Sequence, residues 1–292
     1  MDSAANAAVD LNSFIESINQ SDIASIRTVA NGLIRLLEDP RATMRQLTDV
    51  IEVDPPLTGK ILTRSNSVSS FPNRTIVDIE QAVLWMGLNN LKELALQQKV
   101  CELFTGGREI HGYSRLKLWR HCVAVAHFAK TLVRREFGDP GGMAYSAGLL
   151  HDIGLIAIDQ LLEEQFLAIL DRMAAHKLDI TPCEQDILGF THGQAGQALA
   201  LDWGLPEDMA ACIGSHADAV PPDPYKNREA AVIYLADQLC QSRGLGYCEN
   251  HSVDRQALDT CRQDLGVSHE ALALIMDETV TLMAAMEEQG ML

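Results

Sequence analysis

Apolar residues recur along this chain with the period of a helix almost from end to end, and no stretch alternates convincingly with the period of a strand. From Asp22 to Glu38 the residues Ile23, Ile26, Val29, Leu33 and Leu36-Leu37 form one stripe, which Asp39-Pro40 ends. Met44, Leu47, Val50 and Ile51 mark a second helix, stopped near Asp54-Pro55. Pro56 suits the start of a third, with Leu57, Ile61 and Leu62. The Ser-rich stretch Ser67 to Asn73 reads as a loop, and Thr75 to Asp78 as an N-cap with a first-turn carboxylate. That cap opens a helix through Ile79, Ala82, Val83 and Met86. Further helices are expected near 89–104, 116–137, 142–158, 160–176, 181–192, 193–203, 206–216, 228–241, 253–265 and 269–286. A chain patterned this way folds as an all-α protein. Aromatics are 5% of residues against 47% hydrophobic, so Leu, Ile, Val, Ala and Met must fill the core, which suits helix packing.

Gly106-Gly107 is the first strong break. A boundary near Gly106–Gly112 separates a half poor in metal-ligand residues from one rich in them. The expected organisation is a flexible or partly helical start (1–19), an N-terminal helical lobe (20–110) and a metal-binding helical core with C-terminal helices (111–292). A formal charge of -17 argues against nonspecific binding to nucleic acid or anionic membranes. Seven scattered cysteines without CxxC spacing, and no apolar leader or bilayer-length run, point to a cytoplasmic protein.

The chemistry concentrates in Gly148-Leu149-Leu150-His151-Asp152-Ile153-Gly154. A nitrogen and a carboxylate ligand from neighbouring residues make a compact start to a metal site. On the dipeptide alone a helix-end pair, with Asp capping and His bonding a carbonyl, serves equally well. Adjacent helix residues lie about 100° apart, so both reach one ion only at a helix face or end. His121 lies on the buried stripe with Leu118 and Val125, where a hydrogen-bonded core His is the alternative. His127, about 240° further round the helix, is structural. His192 is followed by Gly193, Ala195 and Gly196, which permit close helix approach. His216 closes a helix, where the dipole favours a His without any metal. Asp237 sits mid-helix among Ile233, Tyr234, Leu235 and Ala236, where a carboxylate is costly unless it is paired or binds metal. Arg120 and Arg243 are its alternative partners. Four imidazoles and two carboxylates suit divalent Fe, Mn, Zn or Mg better than a structural thiolate zinc site. Two ions bridged by a carboxylate would activate water and clamp a phosphate.

The order His121, His151-Asp152, His192, His216, Asp237 resembles the HD superfamily of metal-dependent phosphohydrolases, particularly its HD-GYP branch. The resemblance implies that His121, His151, Asp152 and Asp237 bind one metal. Asp152 then bridges to a second, held by His192 and His216, and Glu184 is similar to an acidic position of that branch. Val53-Asp54-Pro55-Pro56-Leu57-Thr58, Leu62-Thr63-Arg64-Ser65-Asn66-Ser67 and the segment Ile76 to Gly87 resemble the HDOD family, HD-related output domains of bacterial signalling proteins. The likeness covers roughly 20 to 240 and implies an HDOD-type helical lobe packed on an HD-type core. Three departures stand out. Leu155 occupies the position of a Lys in HD-GYP enzymes, Ala217 that of a second His, and the loop Pro221 to Tyr225 replaces Gly-Tyr-Pro.

The leading expectation is therefore a bacterial signal-transduction module with a mono- or binuclear metal site, its input arriving from a signalling partner in trans. The alternative is a metal-dependent phosphohydrolase acting on a nucleotide or other phosphoester, with Asp152 as the catalytic residue. A third reading is a helical scaffold in which the histidines are merely buried.

Overall fold

The computed structural model describes residues 9–68, 75–248, 253–289 and 292. Among them there is no strand, only an isolated bridge between Ile110 and Tyr113. The N-terminal helices are α1 (Leu11–Asn19), α2 (Arg27–Glu38), α3 (Met44–Glu52), α4 (Pro55–Val68), α5 (Ile79–Met86) and α6 (Leu88–Val100). Then follow α7 (Arg115–Glu136), α8 (Gly142–Leu150), α9 (Ile153–Leu161), α10 (Glu163–His176) and α11 (Ile180–Ile187). The remainder is α12 (His192–Asp202), α13 (Glu207–Ser215), α14 (Arg228–Ser242), α15 (Arg255–Asp264) and α16 (His269–Glu288).

Local chemistry places most of these ends. Thr43 and Gln46 form a reciprocal capping box on α3. Asp54 accepts from the Leu57 N–H at 3.0 Å, so it caps α4 while Pro55 fills the first helical position. The same carboxylate takes Lys99 Nζ at 2.6 Å, and Lys99 also reaches Glu102 at 2.7 Å, which satisfies a buried ammonium.

Five boundaries differ from the periodicity. The stripe from Asp22 begins as a 3-10 turn, Asp22–Ile26, because Ser21 caps a tight first turn before α2. Residues 67 and 68 continue α4, and the rest of the expected Ser-rich loop lies outside the described residues. Asp78 rather than Thr75 caps α5, its carboxylate accepting from Gln81 N–H at 2.7 Å. The expected helix 142–158 is two helices, α8 and α9, interrupted at His151-Asp152. Likewise His192 opens α12 under a Thr191 capping box instead of closing the helix before it.

The 22-residue α7, roughly 33 Å long at 1.5 Å per residue, runs through the core and packs on α8, α14 and α16. Helix α14 packs on α7, α8 and α13, so residues 230–238 are buried on every side. Helix α12 packs on α9 and α13, α1 lies against α12, and α2 and α6 lie against α8. The apolar interior is continuous from Phe14 in α1 to Met286 in α16. None of the seven cysteines is in a disulfide. Among the described residues no helix is long and apolar enough to cross a membrane.

Candidate metal centre

The ends of four helices and the middles of two others meet in the core. His121 comes from mid-α7 and Asp237 from mid-α14. His151 and Asp152 form the α8–α9 break, His192 starts α12 and His216 follows α13. All six are 0–1% exposed. Their ligand atoms gather into two triads: His121, His151 and Asp237 in one, Asp152, His192 and His216 in the other. His127 stays outside both, its ring edge-on to Tyr145 at 5.3 Å. Arg120 and Arg243 pair with Glu287 and Asp277, so neither is the partner of Asp237.

The tautomers follow from the acceptors. His151 Nδ1 and His216 Nδ1 each lie 2.7 Å from the carbonyl three residues back, Gly148 and Ile213. A carbonyl only accepts, so both nitrogens carry hydrogen, and two otherwise unsatisfied helix-end carbonyls gain partners. His121 Nδ1–H donates to the Leu245 carbonyl at 3.2 Å, and His192 Nδ1–H to Glu184 Oε2 at 2.8 Å. Glu184, fully buried, also accepts the His192 backbone N–H at 3.0 Å. Each ring is thereby locked from its Nδ1 side and turns Nε2 inward, the arrangement that orients histidine ligands.

Two glycines make the approach possible. A Cβ on Gly154 would lie 2.0 Å from the His192 carbonyl and 2.6 Å from Gly196 N, so α9 and α12 meet backbone to backbone. Gly246 (φ +89°) would put a Cβ 2.5 Å from His121 N, and its turn sets the Leu245 carbonyl against that ring.

Asp152 turns one oxygen to each triad. Oδ2 is 3.1 Å from His151 Nε2, while Oδ1 is 3.3 Å from His216 Nε2 and 3.9 Å from His192 Nε2. Neither oxygen completes a hydrogen bond, and nor does His151 Nε2. His192 Nε2 and His216 Nε2 are 3.1 Å apart. With both Nδ1 atoms protonated, neutral rings would face each other lone pair to lone pair. His121 Nε2 is 2.7 Å from Asp237 Oδ1. Gln238 and Gln241 amides also donate to Asp237.

The electrostatics agree. Burial by itself would raise the Asp152 carboxyl, but His151 and His216 beside it hold it well below the usual carboxylate range. Burial opposes ionisation of Asp237 too, and the His121 contact outweighs it, leaving that carboxyl low. Burial would lower His216, yet the facing Asp152 draws it above an ordinary histidine. Two buried carboxylates, Asp152 and Asp237, thus face a space that calls for positive charge, while Glu184 is buried behind His192 on its Nδ1 side. Divalent cations with N and O ligands fit this donor set, and the orphaned Asp152 oxygens fit a bridging role.

The family model described as HDOD domain matches residues 23–219. The chain belongs to the HDOD family. An HDOD domain protein of unknown function from Geobacter sulfurreducens has the same fold. It is 27% identical, with a TM-score of 0.72 over 91% of this chain and 98% of that one. A candidate signal transduction protein from Marinobacter aquaeolei is 23% identical, with a TM-score of 0.72 over 98% of this chain and 68% of that one. A candidate phosphohydrolase from Shewanella amazonensis is 18% identical, with a TM-score of 0.66 over 98% and 97%. A Treponema pallidum protein without an assigned function is 25% identical over 218 residues, 73% of this chain. The HDOD chain spans only 41% of that protein's length.

Sequence reasoning reached the six residues above and the acidic position at Glu184. It missed Gln241, whose i+4 spacing from Asp237 on a buried helix was the available signal. It also missed Cys122, next to His121, whose sulfur lies within 4.8 Å of ligand atoms of His151 and Asp152.

Proposed function

We propose that this HDOD protein is a bacterial regulatory module whose core is organised around a pair of divalent metal ions. The observation that carries the reading is the pair of buried triads joined by Asp152. Ligands from α7, the α8–α9 break, α12, α13 and α14 would share the two ions. A bound metal supplies the positive charge that the buried carboxylates and inward Nε2 atoms require. Side chains that bind together in this way pin five segments of backbone to one another. Helices α2 and α6 lie against α8, which ends just before His151, so the N-terminal helices sense how that end is held. In this reading the module acts in the cytoplasm, docking a signalling partner in trans and not nucleic acid or membrane. Elemental analysis of protein purified without added metal, together with melting in chelator, tests it. Bound metal and a lower melting temperature in chelator are expected. Metal-free protein with unchanged melting would leave only a helical scaffold.

One observation favours a second reading. Asp152 offers an oxygen to each triad, as hydrolysis of a nucleotide or other phosphoester at two ions requires. There Asp152 would be the catalytic residue, orienting the attacking water, with the five remaining residues as ligands. Leu155 is fully buried where HD-GYP enzymes carry Lys, Ala217 removes a ligand position, and the six side chains are enclosed. On these features we put regulation first. Turnover of a phosphoester panel with added Mn or Fe, abolished by Asp152→Ala, would reverse that order.

A further inference from the structure

Cys122 follows His121 on α7 and is fully buried. Its Sγ, a ring nitrogen of His151 and a carboxylate oxygen of Asp152 all lie within 4.8 Å of one another. His151 belongs to the first triad and Asp152 to the second, so the sulfur stands beside the pair that joins them. A second observation points the same way. His151 Nε2 and both Asp152 oxygens are buried without a hydrogen-bond partner.

We infer that Cys122 is a sulfur ligand of the metal centre and sets its preference among ions. The inference rests on the metal-centre reading above. Nitrogen and carboxylate ligands alone accept Mg, Mn, Fe or Zn, whereas a thiolate adds most for softer ions such as Zn, Co and Fe(II). On binding, the thiol proton leaves to solvent and the sulfur takes a place in the ligand shell. Cys240, three residues after Asp237 and also buried, shares no such group of ligand atoms and serves as the control.

The test uses the full chain, stripped by chelator and titrated with Co(II). Visible ligand-field bands report cobalt in the centre, and a near-ultraviolet sulfur-to-cobalt charge-transfer band reports thiolate ligation. Wild type should show both. Cys122→Ser and Cys122→Ala, each verified as folded by circular dichroism, should keep the ligand-field bands and lose the charge-transfer band. Cys240→Ser should keep both. Preference for Zn(II) over Mn(II), from competition titrations, should fall on the order of 10-fold in Cys122→Ser. Ligand-field bands without charge transfer in wild type would overturn the assignment and leave Cys122 as core packing. So would a charge-transfer band that survives both substitutions at Cys122. Absence of all cobalt bands would overturn the metal-centre reading along with it, a failure distinct from the other two.

Discussion

His192 is held at two points by one carboxylate, because Glu184 accepts both its ring Nδ1–H and its backbone N–H. That grip fixes the ring and strengthens Nε2 as a ligand. Glu184→Gln keeps the size and removes the charge. Metal affinity should fall about 10- to 100-fold while helicity stays constant, as read by chelator competition and circular dichroism. Unchanged affinity would remove Glu184 from the supporting shell. His127 makes a different prediction, independent of metal. Burial, aided by nearby Lys130, lowers its pKa to about 4. A depressed histidine favours folding fully above its unfolded pKa of about 6.5, and that contribution is lost as pH falls toward 4. His127→Phe should flatten the loss of stability from pH 7 to 5, by on the order of 1 kcal/mol relative to wild type, in urea titrations. At this scale the sequence exposed what composition makes conspicuous: a carboxylate inside the apolar run of α14 and a His beside an Asp. The tautomer locks were not legible, since they depend on which carbonyls the fold brings to Nδ1.

Helix ends, more than helix faces, build the centre. The chain breaks at His151-Asp152, α12 begins at His192 and His216 follows α13, so four of the six residues sit at helix ends. Periodicity ran through His151-Asp152 because apolar residues flank it on either side, and burial on every side erases the stripe that would mark a break; at His192 it put the boundary one residue late. Gly154, two residues after Asp152, has a specific role in the contact between α9 and α12. Gly154→Ala would drive a methyl to 2.0 Å from the His192 carbonyl. A backbone cannot yield as a flexible side chain does, so the cost should be at least about 1–3 kcal/mol, with metal affinity reduced as α9 and α12 separate. Denaturant unfolding and metal titration check both effects. A wild-type Cm and affinity would contradict this account of the α9–α12 contact.

Across the whole molecule, one apolar interior joins the N-terminal helices to the centre, and the metal's contribution should be global. Ligands that bind only the folded state stabilise it by RT ln(1 + [L]/Kd), about 2.7 kcal/mol at 100 times Kd. Removing metal should therefore lower the melting temperature of the entire chain in one transition, measured by calorimetry with and without chelator. A chelator-insensitive transition would contradict this. The all-α class was legible from periodicity, and the family from Val53 to Gly87 together with the order of histidines. How closely the ligands are enclosed was not, because it depends on long-range packing between α7, α8 and α14. The most direct test of the central claim is anomalous scattering from crystals of the chain loaded with Mn or Zn. Two peaks are predicted, one bounded by His121, His151 and Asp237 and one by His192 and His216, with Asp152 between them. Crystals grown from loaded protein that show no peak in either triad would contradict it.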